Sequence, residues 1–357
     1  MKEASRQVWG DMLRVTAMVM VVAIHTYALT KYDLFLSNKT YFLLLSLFDS
    51  LTRAAVPVFF MLTGAFALKR YVESKSEYSY RNTVVKLVIP FVIFSIIGYI
   101  YTTISRNEPL SLISFLNQFL SSGGTQDHMW FMYVIILIYL FMPFIVRFIR
   151  ALDQSSLKKL ILLVIILGNV LYTINALLFS TPLNRVFSGV SLPSLIIYSN
   201  YLLIGYYLST YILPSRLKHI VFVFSLLSVP TLPLLQLIYS SPYDIDKLTN
   251  GTSLFSLFIA LGMFILFKQY FSAHPLNKKI SSIISRISSL SFYVYMVHYT
   301  VLNIVKLFTN QIALPNGPQW DVLFLLGQLI LTTMISIAIS FVFDILYKPF
   351  AKRLTSH

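Results

Sequence analysis

The sequence predicts an all-α polytopic membrane protein, a bundle of about ten transmembrane helices with both termini in the cytoplasm. Its composition is the first observation behind this prediction. Of its 357 residues, 57% are hydrophobic and only 11% are charged, whereas soluble domains carry about 25% charged residues. The other two observations are the lengths of the apolar runs and the uneven distribution of Lys and Arg between them.

A transmembrane helix needs about 20 apolar residues to cross the ~30 Å hydrocarbon layer. Runs of this kind cover residues 12–29, 41–68, 84–104, 129–149, 158–179, 193–213, 218–240, 252–272, 287–309 and 320–347. The connecting segments are short. Residues 1–357 are therefore expected to form a single integral membrane domain without an appended soluble enzyme.

Most of the 28 Lys and Arg residues fall at the ends of these spans that share a side with the N-terminus. Cytoplasmic loops are enriched in Lys and Arg, so this asymmetry places both termini in the cytoplasm. The net charge of +15 fits attraction to anionic lipids or cytosolic phosphates, and nucleic acid is not expected as a partner. The absence of cysteine excludes a thiolate nucleophile, and no metal site is expected.

The first span carries three ionisable residues, Asp11, Arg14 and His25. Arg14 and His25 are separated by about three helical turns and point nearly the same way, with Asp11 about one turn below Arg14. A charge at membrane depth costs at least ~2.5 kcal/mol, so this stripe is expected to face a polar cavity or a partner. His25 is a candidate general base; the alternative is an imidazole hydrogen-bonded between helices.

Arg14 is placed to meet a phosphate at the cytoplasmic boundary, and the alternative is a snorkelling anchor. Asp11 is suited to orient Arg14 or to cap the N-terminus of the first helix. Arg53 lies near mid-membrane, about one turn before Pro57. It is a candidate for stabilising a ligand or a charged intermediate; the alternative is a buried structural pair with Asp49.

Further candidates lie elsewhere in the chain. Arg81 and Lys86 flank the inner start of the third span, where they are candidates to bind a cytosolic phosphate, although topology alone explains them equally well. The alternative for His128 is a solvated loop residue, and for Trp130 an interfacial belt residue. The candidates for substrate binding are His128, Trp130, Tyr295 and His298.

Together these motifs resemble the acyltransferase 3 family of membrane O-acyltransferases, nearest to its single-domain members. Asp11-x-x-Arg14 followed by His25 is similar to the opening helix of the family, with its Arg-x10-His motif. The segment Val56-Pro57-Val-Phe-Phe-Met-Leu-Thr-Gly64 is similar to a Val-Pro-x-Phe-Phe-Met-x-Ser-Gly segment of the family, with Thr63 in place of the usual Ser.

Two later segments extend the resemblance to about residue 300. His128-Met-Trp130-Phe is similar to a His-Leu-Trp-Phe block, and Ser291-Phe-Tyr-Val-Tyr-Met-Val-His298 to a Ser-x-x-x-Tyr-x-x-His block. An Arg-x-x-Arg pair that some members carry before the third span is represented here only by Arg81 and Lys86, at a different spacing.

The resemblance implies an enzyme of the bacterial plasma membrane that moves an acyl group, expected to be acetyl, from cytosolic acyl-CoA. The acceptor would be a hydroxyl of an extracytoplasmic cell-surface glycan or lipid-linked oligosaccharide. Membrane lipids and polysaccharide-assembly proteins are the other expected partners. His25 would be the catalytic base, supported by Arg14, Asp11 and Arg53, and the donor would be bound by Arg14, Arg81 and Lys86.

Transport is the rival interpretation. A likeness to the membrane half of a racemase in the same family keeps open the uptake of a small amino acid, with Arg53 binding its carboxylate. Export of a glycan on the same fold, or a non-catalytic partner of a polysaccharide synthase, is a further alternative. Transfer of a labelled acetyl group to a glycan, as opposed to solute flux without transfer, separates the enzyme from the transporter.

Overall fold

The computed structural model describes residues 7–74, 78–121, 124–178, 192–238, 248–312 and 317–355. All regular structure in these ranges is helical, which confirms the predicted fold class. Nine helices within them are long and apolar enough to cross a membrane. The sixth predicted span, 193–213, forms a helix of only 17 residues, Ser194–Thr210.

Helices cover most of each predicted span, and those at 12–29, 287–309 and 320–347 extend well beyond it. In chain order they are α1 (Val8–Ser37), α2 (Lys39–Thr52), α3 (Ala55–Thr63), α4 (Lys69–Glu73), α5 (Tyr80–Thr83), α6 (Ile89–Ser105), α7 (Leu112–Phe119), α8 (Trp130–Arg150), α9 (Gln154–Val164), α10 (Leu171–Leu177), α11 (Ser194–Thr210), α12 (Ser215–Ile238), α13 (Leu254–Ala273), α14 (Lys278–Thr309) and α15 (Pro318–Thr355). The predicted span ends at 179 and 239–240, and the terminal residues 1–6 and 356–357, lie outside the described residues.

Short non-α segments join some of these helices without a loop. A 3₁₀ turn, Asp127–Met129, leads into α8. Within the described residues, three π-helical segments continue the second, third and fifth spans: Gly64–Leu68, Val84–Val88 and Ile165–Val170. Segments of this type are rare and frequently mark functional sites.

The first helix begins earlier than predicted. It starts at Val8, and its N-cap is Gln7, so Asp11 lies inside the first turn. The interpretation of Asp11 as the N-cap is therefore wrong. An acidic side chain in the first turn still interacts favourably with the positive end of the helix dipole.

The second span is interrupted where a single helix was predicted. Its first part, α2, ends at Thr52 with Arg53 as its C-cap, and α3 begins at Ala55. Pro57 has no N–H group and cannot bond to the carbonyl four residues earlier, that of Arg53. Regular bonding resumes with the Val58 N–H, which donates to the Ala54 carbonyl at 2.9 Å. The break therefore places Arg53 at a helix end.

The chain divides into two compact units. Unit 1 comprises Met1–Ser76 and Phe144–Ser288, and unit 2 comprises Glu77–Pro143 and Ser289–His357. In unit 1, α1 contacts α2, α3 and α13, and α11 packs on α3 and on the π segment Gly64–Leu68. This arrangement surrounds the first helix with protein on several sides.

Two glycines allow unusually close packing in unit 1. A Cβ atom on Gly64 would lie 1.9 Å from the Leu202 carbonyl oxygen, and one on Gly205 would lie 1.9 Å from that of Met61. The backbones of the second span and α11 are thus in direct contact. Small residues at such crossings are typical of membrane helices, because they let the helix axes approach.

Unit 2 combines aromatic packing with a buried polar contact. The ring of Phe343 on α15 lies 4.7 Å from Phe94 and 4.9 Å from Tyr293, measured between centroids. Gln126 donates from Nε2 to the Thr300 hydroxyl at 2.8 Å. These contacts tie α6, α14 and α15 into one core.

Candidate active site

A polar cluster surrounds the start of α1 in unit 1. Asp11 is only 5% exposed. The Ser288 hydroxyl donates to Asp11 Oδ1 at 2.6 Å, and Arg14 Nη1 donates to Ser288 Oγ at 3.4 Å. Arg14 Nη1 also lies 4.0 Å from Asp11 Oδ1. The structure thus confirms the predicted proximity of Asp11 and Arg14, with a serine bridging them.

The Arg14 side chain has an aromatic support on its other side. Its guanidinium carbon lies 5.8 Å from the centroid of the Phe66 ring. Phe66 reaches this position because Gly10 has no side chain: a Cβ there would lie 2.2 Å from the ring. The Arg14 side chain remains 29% exposed. It is therefore oriented by its neighbours and still accessible to an anion.

Arg53 and Asp49 form a bidentate ion pair, which is the buried structural pair that the sequence offered as the alternative role of Arg53. Arg53 Nε donates to Asp49 Oδ1 at 2.8 Å and Nη2 to Oδ2 at 3.0 Å. The Asp49 side chain is 1% exposed and that of Arg53 is 20% exposed. The fork geometry fixes the plane of the guanidinium. A role toward a ligand stays a prediction.

A hydroxyl pair connects α1 to this ion pair. The Thr52 hydroxyl donates to the Asp49 carbonyl at 2.7 Å. Tyr27 OH lies 2.7 Å from Thr52 Oγ1. Since a threonine hydroxyl has a single proton, Tyr27 must be the donor in that contact. The segment of α1 around Tyr27 is thereby attached to the end of α2.

His25 lies two residues before Tyr27 and is half-buried. Because α1 is continuous from Val8 to Ser37, His25 keeps the same face as Arg14, about 16 Å further along the axis. Its neighbour Thr26 is turned inward, 1% exposed, and donates to the Val22 carbonyl at 2.8 Å. The predicted register of Arg14 and His25 on one helical face is thus present.

Unit 2 brings together three of the four residues predicted to bind substrate. His128 and His298 are 2% and 0% exposed, and their ring centroids lie 4.7 Å apart. Tyr295 OH donates to the His128 carbonyl, and its ring lies 5.4 Å from the His128 ring. The alternative of a solvated loop for His128 is therefore wrong, because α14 covers its ring.

The hydrogen bond of His298 defines its tautomer. Nδ1 lies 2.7 Å from the Tyr295 carbonyl oxygen. A carbonyl only accepts, so Nδ1 carries the proton and the basic lone pair of a neutral ring is on Nε2. Trp130, the fourth residue, begins α8 and is half-buried.

Two predicted donor-binding residues belong to unit 2. Arg81 lies on the short helix α5 and Lys86 on the π segment Val84–Val88, and both are exposed in unit 2. Arg14 belongs to unit 1. Each of these groups is consistent with an anion site in its own unit.

Comparison with known families identifies the protein. The sequence profile of an acyltransferase domain, acyltransferase 3, matches residues 7–344. This chain belongs to the acyltransferase 3 family. No curated protein and no solved structure matches it. The protein is therefore a multi-pass membrane acyltransferase, as the resemblance predicted.

Several polar residues of this acyltransferase were missed by sequence reasoning. Ser288 is far in sequence from Asp11, and a single serine within an apolar run gives no signal. A buried polar face on α15 could have been found, because its residues recur every fourth position and share one helix face. They are Gln328, Thr332, Ser336 and Ser340, all at most 3% exposed.

Replacing Ser288 by Ala in this acyltransferase is expected to lower the free energy of unfolding by about 1–3 kcal/mol, because the buried Asp11 carboxylate loses a donor. Thermal unfolding in detergent, followed by circular dichroism, measures the change. Ser282→Ala is the matched control, since Ser282 is exposed on the same helix. Equal stability of both variants would show that the Ser288 contact contributes nothing.

Proposed function

We propose that this acyltransferase moves an acyl group, expected to be acetyl, from cytosolic acyl-CoA to a hydroxyl of an extracytoplasmic glycan or lipid-linked oligosaccharide. The acceptor is proposed to be a cell-surface polysaccharide precursor in a bacterial plasma membrane. The observation that carries the proposal is the unbroken helix Val8–Ser37, which holds Arg14 and His25 on one face. Membership of the family over residues 7–344 supports acyl transfer as the reaction class.

His25 is proposed as the general base. Its imidazole takes the proton of the acceptor hydroxyl while that oxygen forms a bond to the thioester carbonyl carbon. The carbon–sulfur bond then breaks, and the departing thiolate of CoA takes the proton from the imidazolium. The products are the ester and free CoA, so the histidine returns to its neutral form without a further reactant.

Arg53 is proposed to stabilise the negative charge that develops on the carbonyl oxygen. This role requires a donor that is already oriented before the reaction. The two hydrogen bonds that Arg53 donates to the Asp49 carboxylate, at 2.8 and 3.0 Å, hold the guanidinium in such an orientation. The link from Tyr27 through Thr52 to the Asp49 carbonyl attaches this group to the helix that carries His25.

Arg14 is proposed to bind a phosphate of the donor. Its side chain is 29% exposed, and Ser288, Asp11 and Phe66 fix its position. Guanidinium groups bind phosphate through paired hydrogen bonds, which suits this assignment. Arg81 and Lys86 are proposed as further phosphate contacts, because both are exposed basic residues.

A substrate-binding role is proposed for the cluster in unit 2. Tyr295 and His298 surround the His128 ring, and all three are buried. Trp130 is half-buried and is the first residue of α8, two residues after His128. A conservative change at Trp130, to Phe, is therefore the first test of acceptor binding, since it disturbs the core least.

Reconstitution into liposomes tests the proposed reaction. The purified protein is supplied with acetyl-CoA labelled in the acetyl group and with membrane-bound glycan acceptors. We expect label to appear on the glycan, and to be absent from liposomes without protein. Movement of a labelled amino acid or glycan across the bilayer without any acetyl transfer would instead support the transporter and reject the enzyme.

A further inference from the structure

A pocket of about 280 Å³ lies in unit 1, and its lining residue Phe264 packs against Trp9, two residues before Asp11, with ring centroids 5.1 Å apart. It is formed where α11 ends, α12 begins and α13 ends. Leu208, Phe264 and Ile265 form part of its apolar wall. Lys218, Lys268, Gln269 and Ser272 provide its polar side.

The pocket lies at one end of the helices that line it. Its residues come from the first turns of the span Ser215–Ile238 and the last turns of the span Leu254–Ala273. The distribution of Lys and Arg predicts that this end faces the cytoplasm. An amphiphile with a phosphate group is available on that side, either within the inner leaflet or from the cytosol.

Two lysines converge on the carboxyl end of α11. Lys268 Nζ donates to the Leu208 carbonyl at 2.5 Å, and Lys69 Nζ donates to the Ser209 carbonyl at 3.0 Å. Cations at this end of a helix compensate the last carbonyls and the helix dipole. Helix capping therefore explains the positions of these two ammonium groups. It does not explain a third ammonium group at the pocket.

Lys218 is that third ammonium group, and it reaches the pocket from α12. Lys218 and Lys268 line the same pocket, and Lys69 donates to the same helix end as Lys268, so three like charges are concentrated in this region. Lys69 has a partial neutralising partner in Glu73, at 3.8 Å. The charged residues that line the pocket, within the described part of the chain, are lysines. An anion in the pocket would relieve this repulsion.

We propose that this pocket binds a phosphate ester, with Lys218 and Lys268 contacting the phosphate and Gln269 and Ser272 donating further hydrogen bonds. The apolar wall at Leu208 and Phe264 would accommodate the chain to which the phosphate is attached. An anionic phospholipid and a coenzyme A molecule both offer this chemistry. None of the residues that line the pocket is among the groups proposed for acyl transfer, and the test of the pocket needs no transfer activity.

The test compares binding by the full-length protein and by the double variant Lys218→Gln/Lys268→Gln. Phosphatidylglycerol, with phosphatidylcholine as reference, is measured by native mass spectrometry, and coenzyme A by isothermal calorimetry. Loss of two charge-assisted contacts is expected to lower the affinity for one of these ligands about tenfold or more. The ligand that responds identifies the source of the phosphate.

The matched control is Lys158→Gln/Lys159→Gln, which removes two exposed lysines near the start of α9 and should leave binding unchanged. Because Lys268 also caps α11, the double variant could fold poorly, and the single variant Lys218→Gln then replaces it. Lys218→Gln is expected to bind the responding ligand about threefold more weakly, and Lys218→Arg is expected to restore the affinity. Unchanged affinity of the pocket variants for both ligands, or an equal loss in the control, would overturn the proposal.

Discussion

Replacement of His25 by Ala is expected to lower the rate of acyl transfer by about 10²–10⁴-fold, the contribution of one positioned base. The loss should appear in kcat, with little change in the KM for acyl-CoA, because the imidazole acts on the acceptor proton in the transition state. The measurement is label transfer in liposomes at several donor concentrations. Gel filtration and melting of the variant establish that it is folded.

Two other histidines serve as controls for this result. His219 is exposed on α12 and lies 2.7 Å through Nδ1 from the Ser215 carbonyl, so His219→Ala should retain full activity. His298 has a buried ring with its basic lone pair on Nε2. If His25→Ala transferred at the normal rate and His298→Ala did not, the base would belong to unit 2 and the proposed role of His25 would be wrong.

Replacement of Gly205 by Ala is expected to destabilise unit 1 by about 3 kcal/mol or more, at the upper end of overpacking effects. The added methyl group would lie 1.9 Å from the Met61 carbonyl oxygen and 2.5 Å from its carbonyl carbon. Backbone atoms cannot swing aside as a side chain can. Relief therefore requires α11 and α3 to separate, which also disturbs the contact at Gly64.

The yield of monodisperse protein and its melting temperature in detergent measure this effect. Gly327→Ala is the control, because no atom lies within 4 Å of a Cβ at that position. Gly327→Ala is expected to raise the free energy of unfolding by about 0.5–1 kcal/mol, since Gly is unfavourable in a helix interior. If Gly205→Ala had the same melting temperature as the wild type, α11 and α3 would not be held in close contact.

Hydropathy predicted the helices well because each span needs a long apolar run, and the register of Arg14 and His25 follows from the helical repeat alone. The break at Arg53–Ala54 was missed, although Pro57 was a visible signal. Its exact position depends on where bonding resumes around the proline, and spacing does not reveal that.

The candidate site was predicted in its parts and not in its connections. Asp11 with Arg14 and Asp49 with Arg53 are local pairs, so their helical spacing predicts contact. Ser288 and Asp11 meet only through tertiary packing, as do His128 and His298. A short polar segment before a helix looks solvated in sequence, which explains the wrong alternative for His128.

The three π-helical segments have a consequence for experiments that read helix faces from periodicity. Each segment adds about one residue to a helical turn. The side chains that follow it are therefore rotated about the helix axis relative to their positions in a uniform α-helix. Accessibility scans through the second, third and fifth spans should lose their regular repeat near residues 64–68, 84–88 and 165–170. Labels placed beyond those points would report a different side of the helix than simple counting assigns.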